Sequence, residues 1–118
     1  MIHQIPAQIE SKQQELITDS EDLALVREQI KDRELDALCD AIEARTEEGK
    51  PAYSNDKLRE RVARSSLKAD TQYRRDRETA RILERRIALL NAEIERLRRE
   101  LRIAMIDYER AELGQRAA

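Results

Sequence analysis

The sequence predicts an all-α fold, an antiparallel helical hairpin of coiled-coil type, on three observations. Of the 118 residues, 41% are charged and 40% hydrophobic, with only 3% aromatic, a composition of long helices rather than of a filled globular core. Two glycines and two prolines supply too few turns for a β fold. Apolar residues also recur at spacings of three and four on both sides of one punctuated segment.

The first arm is predicted over about residues 7–48, starting near Pro6, which suits a first helical turn. Ile2, Ile5, Ile9, Leu16, Leu23, Val26 and Ile30 define one face, which shifts to continue through Leu35, Leu38 and Ile42. Thr18 and Glu21 have capping-box spacing, so the arm is either one helix with a weak point or two helices in sequence. The hinge follows over residues 49–55. Gly49 is expected to close the helix in the left-handed conformation, and Pro51 prevents its resumption. Ser54 and Asn55 stand where a side-chain oxygen caps the next helix, and Asp56 favours its positive end. Tyr53, between Lys50 and Lys57, is either an exposed contact point or, the favoured reading, a plug for the end of the seam.

The second arm is predicted over about residues 56–112, with a break near Asp70 where Asp70 or Thr71 caps a fresh helix. From Tyr73 onward the heptad register is clean, with Asp76 the one charged residue in it. Ile87 and Ile94 fall on a, Leu83, Leu90 and Leu97 on d, and Leu101, Ala104, Tyr108 and Ala111 continue the pattern. Gly114 marks the expected end, and residues 113–118 are expected to fray. Folding back at the hinge opposes positions whose numbers add to about 104. This sets Ile42 against Val62, Leu16 near Ile87, Ile9 near Ile94 and Ile2 near Leu101, with Lys12 and Gln13 beside Asn91 and Ala92. Each seam is then covered on one side only, so self-association is expected, most simply a dimer with four helices. The seam Leu83, Ile87, Leu90, Ile94, Leu97 and Leu101 would carry it. A compact three-helix monomer bent near Asp70 is the alternative.

Net charge is −2, but residues 1–49 carry 5 basic and 13 acidic side chains while residues 50–118 carry 18 and 12. Such halves neutralise each other or offer a basic surface to an anionic partner. Arg74, Arg77, Arg81 and Arg85 fall on one outer helix face and suit phosphate contact. Against this, Asp70–Arg74, Glu60–Arg64 and Glu95–Arg99 have the spacing of intrahelical ion pairs. Stacking aromatics are few, with Tyr53 and Tyr73 the candidates.

Little here suits catalysis. His3 lacks a neighbour to orient it, and Cys39, beside Leu38 and Ala41, reads as a small buried hydrophobe with acidic rather than cationic neighbours. Asp32, Asp36 and Asp40 recur at four-residue spacing, which reads as a solvated acidic face. No histidine accompanies them, and no zinc cluster, phosphate loop or nucleophile elbow is present. No cofactor, metal, small-molecule substrate or enzymatic activity is expected. A single cysteine, no run of about 20 apolar residues, and no signal-peptide pattern at the start lead to an expected cytoplasmic location without membrane insertion.

The segment Gly49-Lys50-Pro51-Ala52-Tyr53-Ser54-Asn55-Asp56, the Arg-rich helix after it and Glu95-Arg96-Leu97-Arg98-Arg99-Glu100-Leu101 resemble small, largely uncharacterised helical proteins of bacteriophages and integrated mobile elements. The resemblance covers roughly residues 46–112 and brings no site residues. It implies a bacterial or phage setting, and some such proteins are encoded near recombination or replication functions. The expected function is therefore a non-enzymatic coiled-coil interaction or scaffold protein, with a nucleic-acid-binding accessory protein using the Arg-rich second arm as the alternative.

Overall fold

The computed structural model describes residues 2–117, and the side chains of residues 3–116. Within them the chain is all-α. A short 3₁₀ turn at Ile2–Gln4 leads into α1 (Ile5–Glu43), followed by α2 (Asp56–Ala69) and α3 (Thr71–Ala117). Two compact units form: a two-helix unit of residues 1–21 and 84–118, and a three-helix unit of Asp22–Leu83.

α1 is one helix, uninterrupted at Thr18–Glu21. Its inward face runs through Ile5, Ile9, Lys12, Leu16, Asp19, Leu23, Val26, Ile30, Arg33, Ala37 and Ala41, and on to Ala44 just past its end, every one buried or half-buried. The spacing is three or four throughout and alternates strictly from Ile5 to Ala37, the signature of a seam. Of the shifted face expected after Ile30, only Leu38 is half-buried. Leu35 and Ile42 are exposed, while Ala41 is 4% exposed, so the opposition of Ile42 to Val62 fails. The small alanines continue the seam with Leu38 half-buried beside them, while Leu35 and Ile42 point to solvent.

The chain between α1 and α2 is longer than the hinge expected. α1 stops at Glu43, where the Arg45 guanidinium donates to the carbonyls of Ile42 (2.9 Å) and Ala44 (3.1 Å). It thereby satisfies acceptors that a helix end leaves open. The chain then pairs with itself. Thr46 N–H donates to Lys50 O and Ala52 N–H to Ala44 O, with Arg45 and Pro51 bridged between them. Gly49, at φ +78°, turns this small ladder rather than closing the helix, a conformation glycine adopts without strain. Asn55, not Ser54, caps α2 by accepting from Leu58 N–H at 2.8 Å. Tyr53 is half-buried, and its carbonyl accepts from Arg59 Nε.

The second arm breaks at Asp70. This residue is extended (φ −79°, ψ 107°) and ends α2, while its carboxylate accepts from Tyr73 N–H at 3.1 Å and so caps α3. At the other end α3 continues through Gly114 to Ala117, with an Arg116–Glu112 ion pair at 3.4 Å. The expected fraying from 113 is replaced by helix; Ala118 lies outside the described residues.

In the two-helix unit, Lys12 pairs with Glu93 at 3.0 Å and Asp19 with Arg86 at 3.2 Å. Both pairs have numbers adding to 105, within one residue of the expected antiparallel register. Leu90, Ile94 and Leu97 are buried there, and Ile87 and Leu101 half-buried. The expected contact of Leu101 with the Ile2 side chain lies outside the described residues. In the three-helix unit the buried set is Leu23, Ala41, Ala63, Tyr73, Ala80 and Leu83, with Asp76 buried among them.

Candidate interaction surfaces

Two surfaces stand out, one in each unit. In the three-helix unit the break at Asp70 organises the first. Arg33 of α1 reaches Asp70 Oδ2 at 3.0 Å and Asp76 Oδ2 at 3.6 Å. Gln72 donates to Asp76 at 2.8 Å, and the Tyr73 hydroxyl donates to Glu34 of α1 at 2.8 Å. The Tyr73 backbone N–H, seconded by Arg33, holds the Asp70 carboxyl below its ordinary value of 3.8. Burial first, then the hydrogen bond to Glu34, raises the Tyr73 phenol above 10.0.

These ties determine where the arginines face. The expected Asp70–Arg74 pair does not form, because Asp70 is engaged by Arg33 and by the α3 cap; Glu60–Arg64 and Glu95–Arg99 do not form either among the described residues. Arg77 lies against Tyr73, 5.8 Å from the ring centroid and 3.5 Å from its hydroxyl. Arg81 pairs with Glu78 at 3.3 Å, both side chains exposed. Arg74, Arg77 and Arg81 line a groove of about 410 Å³ together with Leu67, Lys68 and Tyr73, and no carboxylate lines it. Arg85, the fourth residue of the expected stripe, belongs to the two-helix unit and is exposed there. Lys68 was missed by the sequence reading because α2 brings it to the groove across the break. Tyr73 is 8% exposed, so its ring is not open for base stacking.

Comparison with protein-family models, curated proteins and solved structures finds no match to this chain.

The second surface is the last stretch of α3 in the two-helix unit. With opposed numbers adding to 105, α1 runs out opposite Leu101, and α3 continues for four further turns. Of the eight residues Leu101–Tyr108, six are apolar, so this segment is apolar on every side. Such a helix is ordinarily buried. Here Ile103, Met105, Ile106, Tyr108 and Leu113 are all 41–66% exposed. Tyr108 and Ala111, expected to continue the seam, are exposed. Sequence reasoning followed one face and passed over the apolar run, which was the available signal. The seam residues Leu83, Leu90, Ile94 and Leu97, expected to join copies, are buried within the single chain.

The remaining candidates are dispersed. Cys39 is exposed rather than buried, because the inward face passes through Ala37 and Ala41 on either side of it. Asp32, Asp36 and Asp40 are exposed, and among the described residues no group of three or more metal-ligating side chains gathers. His3 is exposed in the 3₁₀ turn. Among the described residues, no helix is long and apolar enough to cross a membrane.

Proposed function

We propose that the protein is a non-enzymatic helical interaction module that self-associates through the end of α3. The observation that carries this reading is the exposure of Ile103, Met105, Ile106 and Tyr108 in the apolar run beyond the start of α1. A second copy is the occupant its pattern favours. Ile103, Ile106, Arg110 and Leu113 share one helix face by their spacing of three and four. Laid antiparallel with Ile103 against Leu113 of a second copy, that face brings Arg110 beside Asp107 of the other copy. This ion pair occurs twice by symmetry, which is the self-complementarity that a two-fold interface requires. The exposed thiol of Cys39 suits a reducing compartment such as the cytoplasm.

Sedimentation equilibrium tests the reading. The wild-type chain of 13.8 kDa should approach twice that mass as concentration rises through the micromolar range. Ile103→Lys with Ile106→Lys should hold it monomeric while leaving the thermal melt of dilute protein unchanged. A wild-type chain that stays monomeric throughout would overturn it.

A further inference from the structure

We infer that the groove at the α2–α3 break is a binding site for the phosphodiester backbone of nucleic acid. The site is independent of the self-association proposed for α3. Three features of the three-helix unit support it. The groove gathers Lys68 from α2 with Arg74, Arg77 and Arg81 from α3, and no carboxylate lines it. Four cations on one concave surface form the footprint that a polyanion neutralises.

The second feature is what happens to the acids nearby. Asp70 has the spacing to neutralise Arg74, and Asp76 lies next to Arg77 in the chain. Both turn instead to Arg33 on α1, while Glu78 pairs with Arg81 at 3.3 Å. Asp70 is further committed to the Tyr73 N–H and Asp76 to Gln72. Lys68 and Arg74 consequently make no ion pair among the described residues. The unit as a whole is not basic: residues 22–83 carry 14 basic and 14 acidic side chains. The charge is sorted by element. Residues 22–43 have 3 basic and 7 acidic side chains, and residues 56–83 have 9 and 5.

Third, the groove is pre-formed. Arg77 is held against the Tyr73 ring, and Tyr73 is itself buried and tied to Glu34, so a cation is presented without being ordered at the moment of binding. The chemistry is phosphate contact without base reading. Tyr73 is not open to stack, and guanidinium groups suit phosphate oxygens through paired N–H donors. Single strands and duplexes should both bind, with little dependence on sequence.

The test is fluorescence anisotropy of the full-length protein with a labelled oligo-dT strand and a labelled mixed-sequence duplex, titrated with salt upward from about 50 mM. Both should bind. For four phosphate contacts the slope of log K against log salt should be about −3 to −4 on duplex. Lys68→Gln with Arg74→Gln removes two cations that hold nothing else in the fold. It should weaken binding at least tenfold and reduce the slope by about two, with the circular dichroism melt unchanged. Arg98→Gln with Arg99→Gln, on α3 in the other unit, should change neither. Absence of wild-type binding at the lowest salt, equal loss in the two variants, or equal competition by polyglutamate would each overturn the site. The self-association proposal is read by mass alone, so either can fail without the other.

Discussion

The two units solve the same packing problem with different materials. The two-helix unit buries Leu90, Ile94 and Leu97, all from α3, against half-buried Ile5, Ile9 and Leu16 of α1. Its one buried polar residue is Asp19. The three-helix unit buries three alanines, Ala41, Ala63 and Ala80, beside Leu23, Tyr73 and Leu83. It adds hydrogen-bonded ties across the helices from Arg33 and Glu34. Where only two helices meet, large aliphatic side chains carry the seam and apolar surface is left over on α3. Where three meet, smaller side chains suffice and polar ties fix the geometry, which leaves a cationic outer surface. Each unit's unused chemistry is thus a by-product of how it closes its core.

The comparison breaks most visibly if the apolar seam is charged. Ile94→Asp with Leu97→Asp places two unpaired carboxylates among Leu90 and its neighbours, and buried charges without partners are strongly unfavourable. The double variant should show no cooperative melt by circular dichroism. Ile94→Ala alone should cost about 2–5 kcal/mol, and the same change at exposed Ile103 no more than about 0.5 kcal/mol. Equal effects at the two positions would mean that α1 and α3 do not share the seam described.

Much of this arrangement is legible in the sequence, and the failures have a common cause. The α3 seam from Tyr73 to Leu101 is legible because every position but Ala80 is large and apolar or plainly marked, as Asp76 is. Antiparallel register follows from the hinge, and the Lys12–Glu93 pair falls where the fold-back puts it. On α1 beyond Ile30 the true seam passes through Arg33, Ala37 and Ala41, residues that carry little hydropathy. Leu35 and Ile42 offer a louder pattern one step aside. The surfaces were half-legible. The arginine stripe is visible in the spacing, but the partner of Asp70 is not, because Arg33 lies 37 residues away. Local spacing assigns that acid to Arg74; tertiary structure gives it to α1.

The buried aspartates sharpen the contrast at intermediate magnitude. Asp19 Oδ2 is buried without a hydrogen bond, although Arg86 Nε lies 3.2 Å away as a charge partner. Asp76 has a hydrogen bond from Gln72 and the charge of Arg33. Replacing an under-satisfied buried carboxylate with an apolar side chain recovers its desolvation cost, and such exchanges range from neutral to about 1–4 kcal/mol stabilising. Asp19→Leu should therefore raise the urea midpoint more than Asp76→Leu, since Arg86, 58% exposed, loses little when left in water. A lower midpoint for Asp19→Leu would show that the Arg86 pair contributes more than its geometry suggests.

The smallest expected effect sits at the break between α2 and α3. Asp70→Ala removes the cap on Tyr73 N–H and the partner of Arg33. Losing this cap should lower stability by less than Ile94→Ala does. Its pH dependence separates this tie from the aliphatic seam. The folded-state value of Asp70 lies below the ordinary 3.8, so its contribution is complete above that value and disappears as pH falls through the lower folded one. The gap in stability between wild type and Asp70→Ala, measured by urea denaturation, should be constant near neutrality and narrow steadily below about pH 4. Tyr73 behaves in the opposite sense. Its raised value makes its contribution complete below 10.0, with loss only as pH rises through the folded value. Ile94→Ala, which touches no titrating group, should hold a constant deficit across the acid range. If the Asp70→Ala deficit is equally flat, the carboxylate is not what joins α2 to α3, and the orientation of Arg74 into the groove needs another cause.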